Sequence, residues 1–293
     1  IMYSYDSAFA LSFQPQHNDL KYVDLVKDIH RAMAHTGLNV DFVSPEQDLS
    51  EYKVIVAPAL FVIEEKTAAS IKKFVENGGI FVCTARSGVK DVYNTVIPDQ
   101  LPARLGGVLG ITVTEYDPEM TRGDGGKIKF VKGGKKFPAM LWRDVIELDG
   151  AQSAAVYEGK YYGGTPAITI NKFGKGSAVY TGTFSTPEFY NALMKKVFSL
   201  AGIKPPVEIT GEIEAVERSS AKSSQGTQRR LLFVYNKGAA PARFSVKGVR
   251  TDLLSGKKVS GKTILPPFGV MILKKILRKK QVDKIYSILY NYI

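Results

Sequence analysis

The fold class follows from residues 53–84, which read KVIVAPALFVIEEKTAASIKKFVENGGIFVCT. Residues 53–57 and 80–84 are short runs rich in β-branched side chains, which is typical of strands buried on both faces. Between them, residues 65–77 predict a helix that stops at the glycine pair 78–79. A strand, a helix and a second strand in this order predict a mostly parallel sheet with helices on its faces.

The residues before this unit continue the alternation of strands and helices. We expect residues 1–5 to form a short strand, followed by a polar loop that ends at Asn18 and Asp19. Apolar residues recur at helical spacing over residues 20–35 and predict a helix there. Residues 39–43 read as one more short strand.

The region after the unit changes character. Residues 127–183 alternate short apolar runs with glycine-rich turns, so we expect an antiparallel extension of the sheet. A last helix is predicted over residues 188–201, with Pro187 in its first turn and with Ser185 and Glu188 forming a capping box.

The charge distribution divides the chain in two. Residues 204–293 carry 18 Lys and Arg against 6 Asp and Glu, whereas residues 1–203 carry 22 of each. The step Lys204-Pro205-Pro206 is rigid and cannot extend a helix, so we place the boundary there. The predicted domains are an α/β domain over residues 1–203, a small antiparallel β domain over 204–275, and a basic tail over 276–293 that is helical or disordered.

The part after the boundary is all β by its pattern. Short apolar runs alternate with clusters of Ser, Gly, Asn and Pro, as in a small antiparallel sandwich or barrel. The predicted strands lie at residues 213–217, 230–235, 242–246, 251–254 and 270–273.

The overall composition is that of an ordinary globular protein. Of 293 residues, 44% are apolar and 23% are charged. The single cysteine, Cys83, cannot form an internal disulfide, which favours a reducing compartment. No apolar run approaches the roughly 18 residues of a membrane span, and residues 1–13 lack the pattern of a signal peptide, so we expect a cytoplasmic location and no membrane contact.

One stretch matches the phosphate-binding loop pattern G-x-x-x-x-G-K-[ST]. Residues 256–263 read GKKVSGKT. Such a loop needs a helix directly after it, so that backbone N–H groups converge on the phosphates. Pro266 and Pro267 follow too closely for that helix to run on. We therefore expect a solvated basic hairpin and no bound cofactor.

Cys83 is a second candidate because it ends a predicted strand, where related α/β folds carry a cysteine nucleophile. A nucleophile elbow prefers small residues two positions away on each side, and one of these positions here is Phe81. A thiolate also needs a histidine base. The three histidines, His17, His30 and His35, all precede Cys83. We expect Cys83 to be a small buried apolar residue.

The basic C-terminal part is a candidate for binding phosphates of a nucleic acid or an anionic glycan. Tyr235, Phe244 and Phe268 occupy positions where a core is the expected use, and no RNA-binding signature is present, so nucleic acid is not an expected partner. The basic residues in question are Arg229, Arg230, Lys274, Lys275 and residues 278–280.

Carboxylates suited to glycoside hydrolysis are present but fall in no recognisable paired motif. For each, capping or solvation is the expected role, and the scattered histidines and single cysteine predict no metal site. The carboxylates are Asp6, Asp41, Glu64, Glu65, Asp117, Glu119 and Asp124.

The sequence of residues 40–88, VDFVSPEQDLSEYKVIVAPALFVIEEKTAASIKKFVENGGIFVCTARSG, resembles the middle domain of glycoside hydrolase family 42 β-galactosidases. Residues 5–11, 20–37 and 105–118 are similar to neighbouring segments of that domain. Beyond the boundary, four segments resemble the family's small C-terminal β domain, at residues 213–218, 231–236, 251–256 and 265–273. The sequence departs from the family at Phe9, where a larger aromatic residue is expected, and after Lys275.

The resemblance implies a flavodoxin-like or glutamine-amidotransferase-like fold without the cysteine chemistry, and a domain that assembles the enzyme into a homotrimer. In this family both catalytic glutamates lie on an N-terminal (β/α)₈ barrel. A barrel takes about 250 residues, and neither its eight units nor the catalytic motifs are found in this sequence. No catalytic, cofactor-binding or metal-binding residue is therefore assigned.

The resulting hypothesis is a non-catalytic oligomerisation part of a β-galactosidase-like protein. Three alternatives stay open: a working component that pairs with a separately encoded barrel, a cysteine-dependent amidase or peptidase, and a carbohydrate-binding module. The third would use Trp142, Tyr161 and Tyr162 as stacking aromatics, although burial in a core is at least as expected for these rings.

Overall fold

The computed structural model describes residues 1–15, 17–120, 123, 126–220 and 230–275. Their packing forms two compact units. The first contains Ile1–Ala32 and Val40–Ile203, and the second contains Met33–Asn39 with the described residues from Lys204 onward. The predicted tail at residues 276–293 lies outside the described residues.

Parallel strands form one side of the main sheet of the first unit. They are β1 (Val54–Ala57), β2 (Ile80–Thr84) and β9 (Gly176–Thr181), and both ladders between them are parallel. Helix α3 (Glu65–Glu76) connects β1 to β2. This strand–helix–strand unit confirms the interpretation of residues 53–84.

Antiparallel strands complete the same sheet. The strand order is β1-β2-β9-β8-β7-β4-β5, and every ladder from β9 onward is antiparallel. The added strands are β4 (Lys127–Phe130), β5 (Lys136–Pro138), β7 (Gln152–Glu158) and β8 (Pro166–Phe173). The antiparallel extension is confirmed, but the sheet as a whole is mixed and not mostly parallel, because short turns can join only antiparallel neighbours.

The turn between β8 and β9 shows why glycine is needed there. Gly174 has a φ of +56°, and a Cβ on it would lie 2.6 Å from the Cα of Glu76 at the end of α3. A side chain at this position would therefore push the hairpin away from α3, and the close packing of helix and sheet depends on its absence.

A second, smaller sheet of this unit has the order β10-β6-β3. Its strands are β3 (Ile111–Pro118), β6 (Met140–Leu148) and β10 (Thr183–Phe184), and the short helix α4 (Gly106–Leu109) precedes β3. Helix α5 (Pro187–Leu200) follows β10. Its N-cap is Thr186 without a side-chain cap bond. The predicted capping box is wrong, because the Ser185 hydroxyl donates instead to the Pro138 carbonyl at 2.6 Å.

The N-terminal region differs from the prediction. Helix α1 (Tyr5–Phe13) occupies the segment expected to be the end of a strand and a polar loop. Helix α2 (Tyr22–Ala34) confirms the predicted helix. The strands predicted at residues 1–5 and 39–43 reduce to one isolated parallel bridge between Met2 and Val43.

The core of the first unit lies between the parallel strands and the elements packed on them. Ile71 and Val75 of α3 are fully buried against the sheet, as are Phe81, Cys83 and Tyr180 within it. Each large apolar side chain removed from water in this cluster contributes about 1.5–3 kcal/mol to the stability of the unit.

The second unit is an antiparallel sheet, as predicted. The strand order is β11-β14-β16-β13-β12, with β15 paired to β14. A separate strand at residues 251–254 does not form, because residues 251 and 252 are the last two residues of the long strand β14. The strands are β11 (Val207–Thr210), β12 (Ile213–Ser219), β13 (Arg230–Asn236), β14 (Ala242–Asp252), β15 (Lys258–Leu265) and β16 (Val270–Lys275).

The core of the second unit is separate and small. Ile213, Leu232, Val234 and Leu273 are fully buried within it. None of the helices in the described parts of either unit is long and apolar enough to cross a bilayer.

Candidate functional site

The carboxyl ends of β1 and β2 carry two tightly bound loops. Ala59 donates its N–H to the Thr84 hydroxyl at 2.9 Å, and Leu60 donates to the Ser87 hydroxyl at 3.0 Å. Both Ala59 and Arg86 have positive φ, at 36° and 67°. Left-handed backbone at non-glycine residues is costly and persists only where neighbouring contacts hold it. This edge is therefore rigid, and it lies where open α/β sheets present their functional surfaces.

Helix α1 packs across this edge. Val62, in the loop after β1, donates its N–H to the Ser7 hydroxyl at 3.0 Å. At the end of the helix, Lys90 donates from Nζ to Oε1 of Gln14 at 2.5 Å. Ser7, Ala10 and Leu11 form the buried side of α1.

The opposite side of α1 is an aromatic stripe in contact with solvent. Tyr5, Phe9 and Phe13 follow one another at four-residue spacing, which places them on one helix face. Their exposed fractions are 69%, 59% and 80%. Such exposure is unusual for rings of this size, and a contiguous apolar patch on a folded domain marks an interaction surface.

Two further aromatic side chains of the first unit are exposed. Tyr93 is 86% exposed in the loop after β2, where its N–H donates to Asp91 Oδ1 at 2.9 Å. Tyr116 at the end of β3 is 52% exposed, and its ring stacks on that of Trp142 with 4.9 Å between centroids. We call Tyr5, Phe9, Phe13, Tyr93 and Tyr116 the carboxyl-edge face.

A buried cation lies beneath this face. Arg86 is 7% exposed, and its guanidinium carbon lies 4.2 Å from the ring centroid of Trp142, 5.0 Å from that of Phe61 and 5.8 Å from that of Tyr116. In the described parts of the chain, the guanidinium has no hydrogen bond or ion pair, and its Nε is fully buried. Burial lowers the pKa of Arg86, while Asp144 raises it.

Asp144 is the carboxylate whose charge acts on Arg86, but its oxygens already accept other hydrogen bonds. Trp142 donates from Nε1 to Oδ1 at 2.8 Å, and the Tyr180 hydroxyl donates to Oδ2 at 2.5 Å. Burial raises the pKa of Asp144, and the two hydrogen bonds and Arg86 oppose that rise. The carboxylate thus positions Trp142, which in turn stacks on both Arg86 and Tyr116.

The structure places Cys83 in the core, as predicted. The thiol is free and completely buried, and burial raises its pKa far above the ordinary value. Each histidine has another contact. His17 bonds to the Glu119 carbonyl, the His30 ring stacks on Phe42, and His35 lies near the Glu212 carboxylate. The chemistry of a cysteine nucleophile requires an accessible thiolate, which this position does not offer.

Two of the three aromatics proposed for sugar stacking are buried. Trp142 and Tyr162 are 2% and 3% exposed, so their faces are not available to a ligand. Tyr161 is 71% exposed, but its edge packs against Tyr162 and its hydroxyl bonds to Glu115. Of the two alternatives left open for these rings, burial holds for Trp142 and Tyr162 and does not hold for Tyr161.

The phosphate-loop match falls on a strand. Residues 258–263 belong to β15, which pairs antiparallel with β14. β16 is the next element, so no helix N-terminus is available to a phosphate here. The predicted hairpin is confirmed.

Four of the candidate carboxylates, those of Asp117, Glu119, Glu64 and Glu65, have structural partners. Asp117 accepts from the Tyr162 hydroxyl at 2.6 Å and lies 3.4 Å from the buried Arg143. Glu119 accepts from the backbone N–H groups of Gly123 and Leu141. Glu64 pairs with Lys66, Glu65 lies 3.6 Å from Arg104, Asp6 is in the first turn of α1, and the Asp41 carbonyl accepts from the N-terminal amine. Asp124 lies outside the described residues.

The basic C-terminal residues fall partly outside the described chain. Arg230, Lys274 and Lys275 are exposed on β13 and β16, whereas residue 229 and residues 278–280 are not described. Phe244 is buried and Tyr235 is half-buried, as expected of a core, but Phe268 is 69% exposed, so its predicted core role is wrong. Phe268 lies in the turn before β16 with a φ of 55°.

The described residues contain no group of three or more His, Cys, Asp or Glu side chains that could hold a metal ion. The carboxyl-edge face was missed by sequence reasoning. Its signal was Tyr5, Phe9 and Phe13 at four-residue spacing within a segment taken for a loop.

Both units match models of known protein families. Residues 1–204 match the family model of the β-galactosidase trimerisation domain of glycoside hydrolase family 42, and residues 223–275 match that of the β-galactosidase C-terminal domain. The chain belongs to glycoside hydrolase family 42.

Relatives within family 42 share about a third of their residues with the chain. β-Galactosidase BgaA of Planococcus sp. is 34% identical over 266 residues, which are 88% of this chain and 38% of the relative. β-Galactosidase BgaB of Geobacillus sp. is 33% identical over 214 residues, which are 73% of this chain and 31% of the relative. The chain therefore spans well under half of the length of these relatives.

A solved family 42 structure has the same fold. The crystal structure of β-galactosidase from Bacillus circulans sp. alkalophilus aligns with a TM-score of 0.85 at 31% identity, covering 94% of this chain and 41% of the other. A score of this size over nearly the whole chain supports the arrangement of strands and helices described above.

Proposed function

We propose that the chain is the assembly part of a family 42 β-galactosidase, which joins copies into a homotrimer and does not itself hydrolyse the substrate. The observation that carries this proposal is the match of residues 1–204 to the trimerisation domain. The same residues contain the exposed aromatic face at the carboxyl edge of the sheet, which is the kind of surface that an assembly domain requires.

Hydrolysis is proposed to need a (β/α)₈ barrel, which carries the two catalytic glutamates that the family resemblance implies. The described residues form a mixed sheet, a small antiparallel sheet and a separate antiparallel unit. Arg143 and Tyr162 contact the carboxylate of Asp117, and a backbone N–H donates to that of Glu119, which supports structural roles for these two residues.

We propose that the parallel part of the first unit is related to the glutamine-amidotransferase fold. Strands β1, β2 and β9 with α3, and the sharp turn at Arg86 after β2, support this relation. The buried Cys83 supports a version without cysteine chemistry, and its free thiol is compatible with the proposed cytoplasmic location.

A galactosidase assay tests whether hydrolysis needs a separate barrel. The purified chain is incubated with a chromogenic galactoside, alone and after mixing with a separately produced barrel of the Planococcus relative. We expect no hydrolysis by the chain alone, so hydrolysis above the blank would contradict the non-catalytic role. If the mixture hydrolyses the substrate much faster than the barrel alone, the chain acts as a partner of a separate barrel.

A further inference from the structure

Two buried cations in the loop after β2, Arg86 and Lys90, pack against the same aromatic ring. Each residue is 7% exposed. The Arg86 guanidinium carbon lies 5.0 Å from the ring centroid of Phe61, and the Lys90 Nζ lies 5.7 Å from it. Neither cation has a carboxylate within ion-pair distance among the described residues. Two buried positive charges beside one ring are costly unless a negative charge compensates them.

The hydrogen bonds of Lys90 go to neutral groups. Its Nζ donates to Gln14 Oε1 at 2.5 Å and to Asn94 Oδ1 at 2.9 Å. Amide oxygens solvate an ammonium group but do not neutralise its charge. Lys90 therefore leaves a positive field at the carboxyl ends of β1 and β2, which is the edge at which open α/β sheets bind ligands.

The guanidinium of Arg86 has donors that an anion can use. Of its three nitrogens, only Nε is completely buried, and no described residue accepts a hydrogen bond from any of them. The two Nη atoms therefore reach accessible space, while the guanidinium carbon lies over the Trp142 ring, 4.2 Å from its centroid. Because the ring covers one side of the group, hydrogen bonds to a ligand form at the edge that carries the Nη atoms. This edge matches the two oxygens of a carboxylate.

The buried Asp144 does not take the place of such an anion. Its charge acts on Arg86, but its two oxygens accept from the Trp142 Nε1 and from the Tyr180 hydroxyl. Among the described residues, it has no hydrogen bond to the guanidinium. Asp144 thus fixes the ring on which Arg86 lies and leaves the guanidinium edge to another acceptor.

An exposed ring lies beside this edge. Tyr116 is 52% exposed, stacks on Trp142, and has its ring centroid 5.8 Å from the Arg86 guanidinium carbon. An acid bound to Arg86 through its carboxylate would place its apolar part near this ring. Small-molecule sites combine apolar walls with a few polar groups in this way, which favours an organic acid over an inorganic anion.

We propose that Arg86, with Tyr116 as an apolar wall and Lys90 as a second positive charge, binds the carboxylate group of a small aliphatic acid. We call these three residues the Arg86 site. Binding at the Arg86 site is a property of the first unit itself and does not depend on the proposed assembly role.

The single tryptophan of the chain, Trp142, reports on the Arg86 site by its fluorescence. Butyrate is titrated into the full chain at constant ionic strength, with excitation at a wavelength selective for tryptophan. Butyramide has nearly the same size without the charge and serves as the ligand control. We expect a saturable change at millimolar concentrations of butyrate and none with butyramide.

Variants of the full chain locate the site. Arg86→Met keeps an unbranched side chain against Trp142, and the loss of a charged hydrogen bond is expected to weaken butyrate binding about 10- to 150-fold. Arg86→Lys keeps the charge without the two-pronged edge and is expected to weaken it less. Lys132→Met removes an exposed positive charge between β4 and β5 and is expected to leave binding unchanged. Circular dichroism checks that each variant is folded.

The possible results support or overturn the Arg86 site as follows. Saturation by butyrate that is lost in Arg86→Met and kept in Lys132→Met supports it. A wild type that shows no saturable change with butyrate, or responds equally to butyramide, overturns it. Tighter binding of phosphate than of butyrate overturns the assignment to an organic acid. If Arg86→Met does not fold, unchanged binding by Arg86→Lys overturns the site and weakened binding supports it. The molar mass of the chain, which tests the proposed homotrimer, is a separate measurement.

Discussion

At the scale of single residues, the surroundings of β2 explain why a cysteine and an arginine so close together have different roles. Cys83 faces the core and is completely buried among apolar neighbours. Arg86 follows the end of the strand, where a left-handed backbone turns its side chain onto Trp142. The first residue contributes to apolar packing, and the second stacks as a buried cation on the Trp142 ring.

Replacing Arg86 with Met tests the cost of burying its cation. The unbranched thioether fills similar space on Trp142 and removes a buried cation, so the folded chain is expected to be as stable as the wild type or more so. Thermal unfolding of the two chains without added carboxylate measures the difference. A large loss of stability in the variant would show that the Arg86 guanidinium is compensated within the folded chain.

Cys83 is expected to be inert in the folded protein. A disulfide-forming thiol reagent should leave Cys83 unmodified in the native state and react with it after unfolding in urea, because burial denies access and raises the pKa of the thiol. Cys83→Ala is expected to cost about 1 kcal/mol of unfolding free energy for the small cavity. Rapid labelling of native protein would contradict the buried position.

Asp144 is expected to make stability depend on pH. Burial raises the pKa of its carboxyl above the ordinary value of 3.8. The folded state therefore binds the proton more tightly than the unfolded state, and this contribution is present below 3.8 and is lost as pH rises through the raised pKa. The Asp144→Asn variant lacks this term. The difference in unfolding free energy, variant minus wild type, is expected to increase as pH rises. A difference that does not change with pH would show that Asp144 makes no pH-dependent contribution.

At the scale of secondary-structure elements, α1 is the least predictable part of the fold. Its buried side is made of Ser7, Ala10 and Leu11, whereas its three aromatic residues are exposed. Sequence periodicity assigns the large apolar residues to the core, so the pattern of α1 does not read as an ordinary amphipathic helix.

Removing the N-cap of α1 tests how the helix is held. Ser4→Ala deletes the hydroxyl that accepts from the Ser7 N–H, and the expected cost is about 1 kcal/mol of unfolding free energy. Ser12→Ala is the matched control, since the Ser12 hydroxyl donates to the Phe9 carbonyl on the exposed side of the same helix. Chemical denaturation is expected to give a cost below about 0.5 kcal/mol for the control. Equal costs for the two variants would argue against capping by Ser4.

The other elements could be predicted where the residues that determine them are close together in the sequence. Residues 53–84 gave the correct strand–helix–strand unit, because β-branched runs and the glycines that end the helix are local signals. The mixed strand order was not predictable from residues 127–183, because pairing of β9 with β2 is a long-range event. Asp144 lies on β6 of the smaller sheet and bonds to Tyr180 of β9 in the main sheet, so its place near Arg86 depends on long-range packing that the sequence does not reveal.

At the scale of the whole molecule, the net charge opposes assembly. The chain carries a formal net charge of +12 at pH 7, so copies repel one another. The exposed aromatic side chains that support the proposed assembly are mainly apolar, so copies gain little from long-range attraction. Raising NaCl from about 0.05 M to 0.5 M screens the repulsion and is expected to strengthen the homotrimer. Sedimentation at several protein concentrations measures the change, and dissociation by salt would instead indicate an interface built on ion pairs.

The most direct test of the central claim is the molar mass of the purified chain in solution, measured by light scattering after size-exclusion chromatography. The chain has a mass of 32.2 kDa. Assembly through the first unit predicts a species near three times 32.2 kDa that persists on dilution into the low micromolar range. A single species of 32.2 kDa at the highest concentration reached would contradict the proposal that this chain forms a homotrimer by itself.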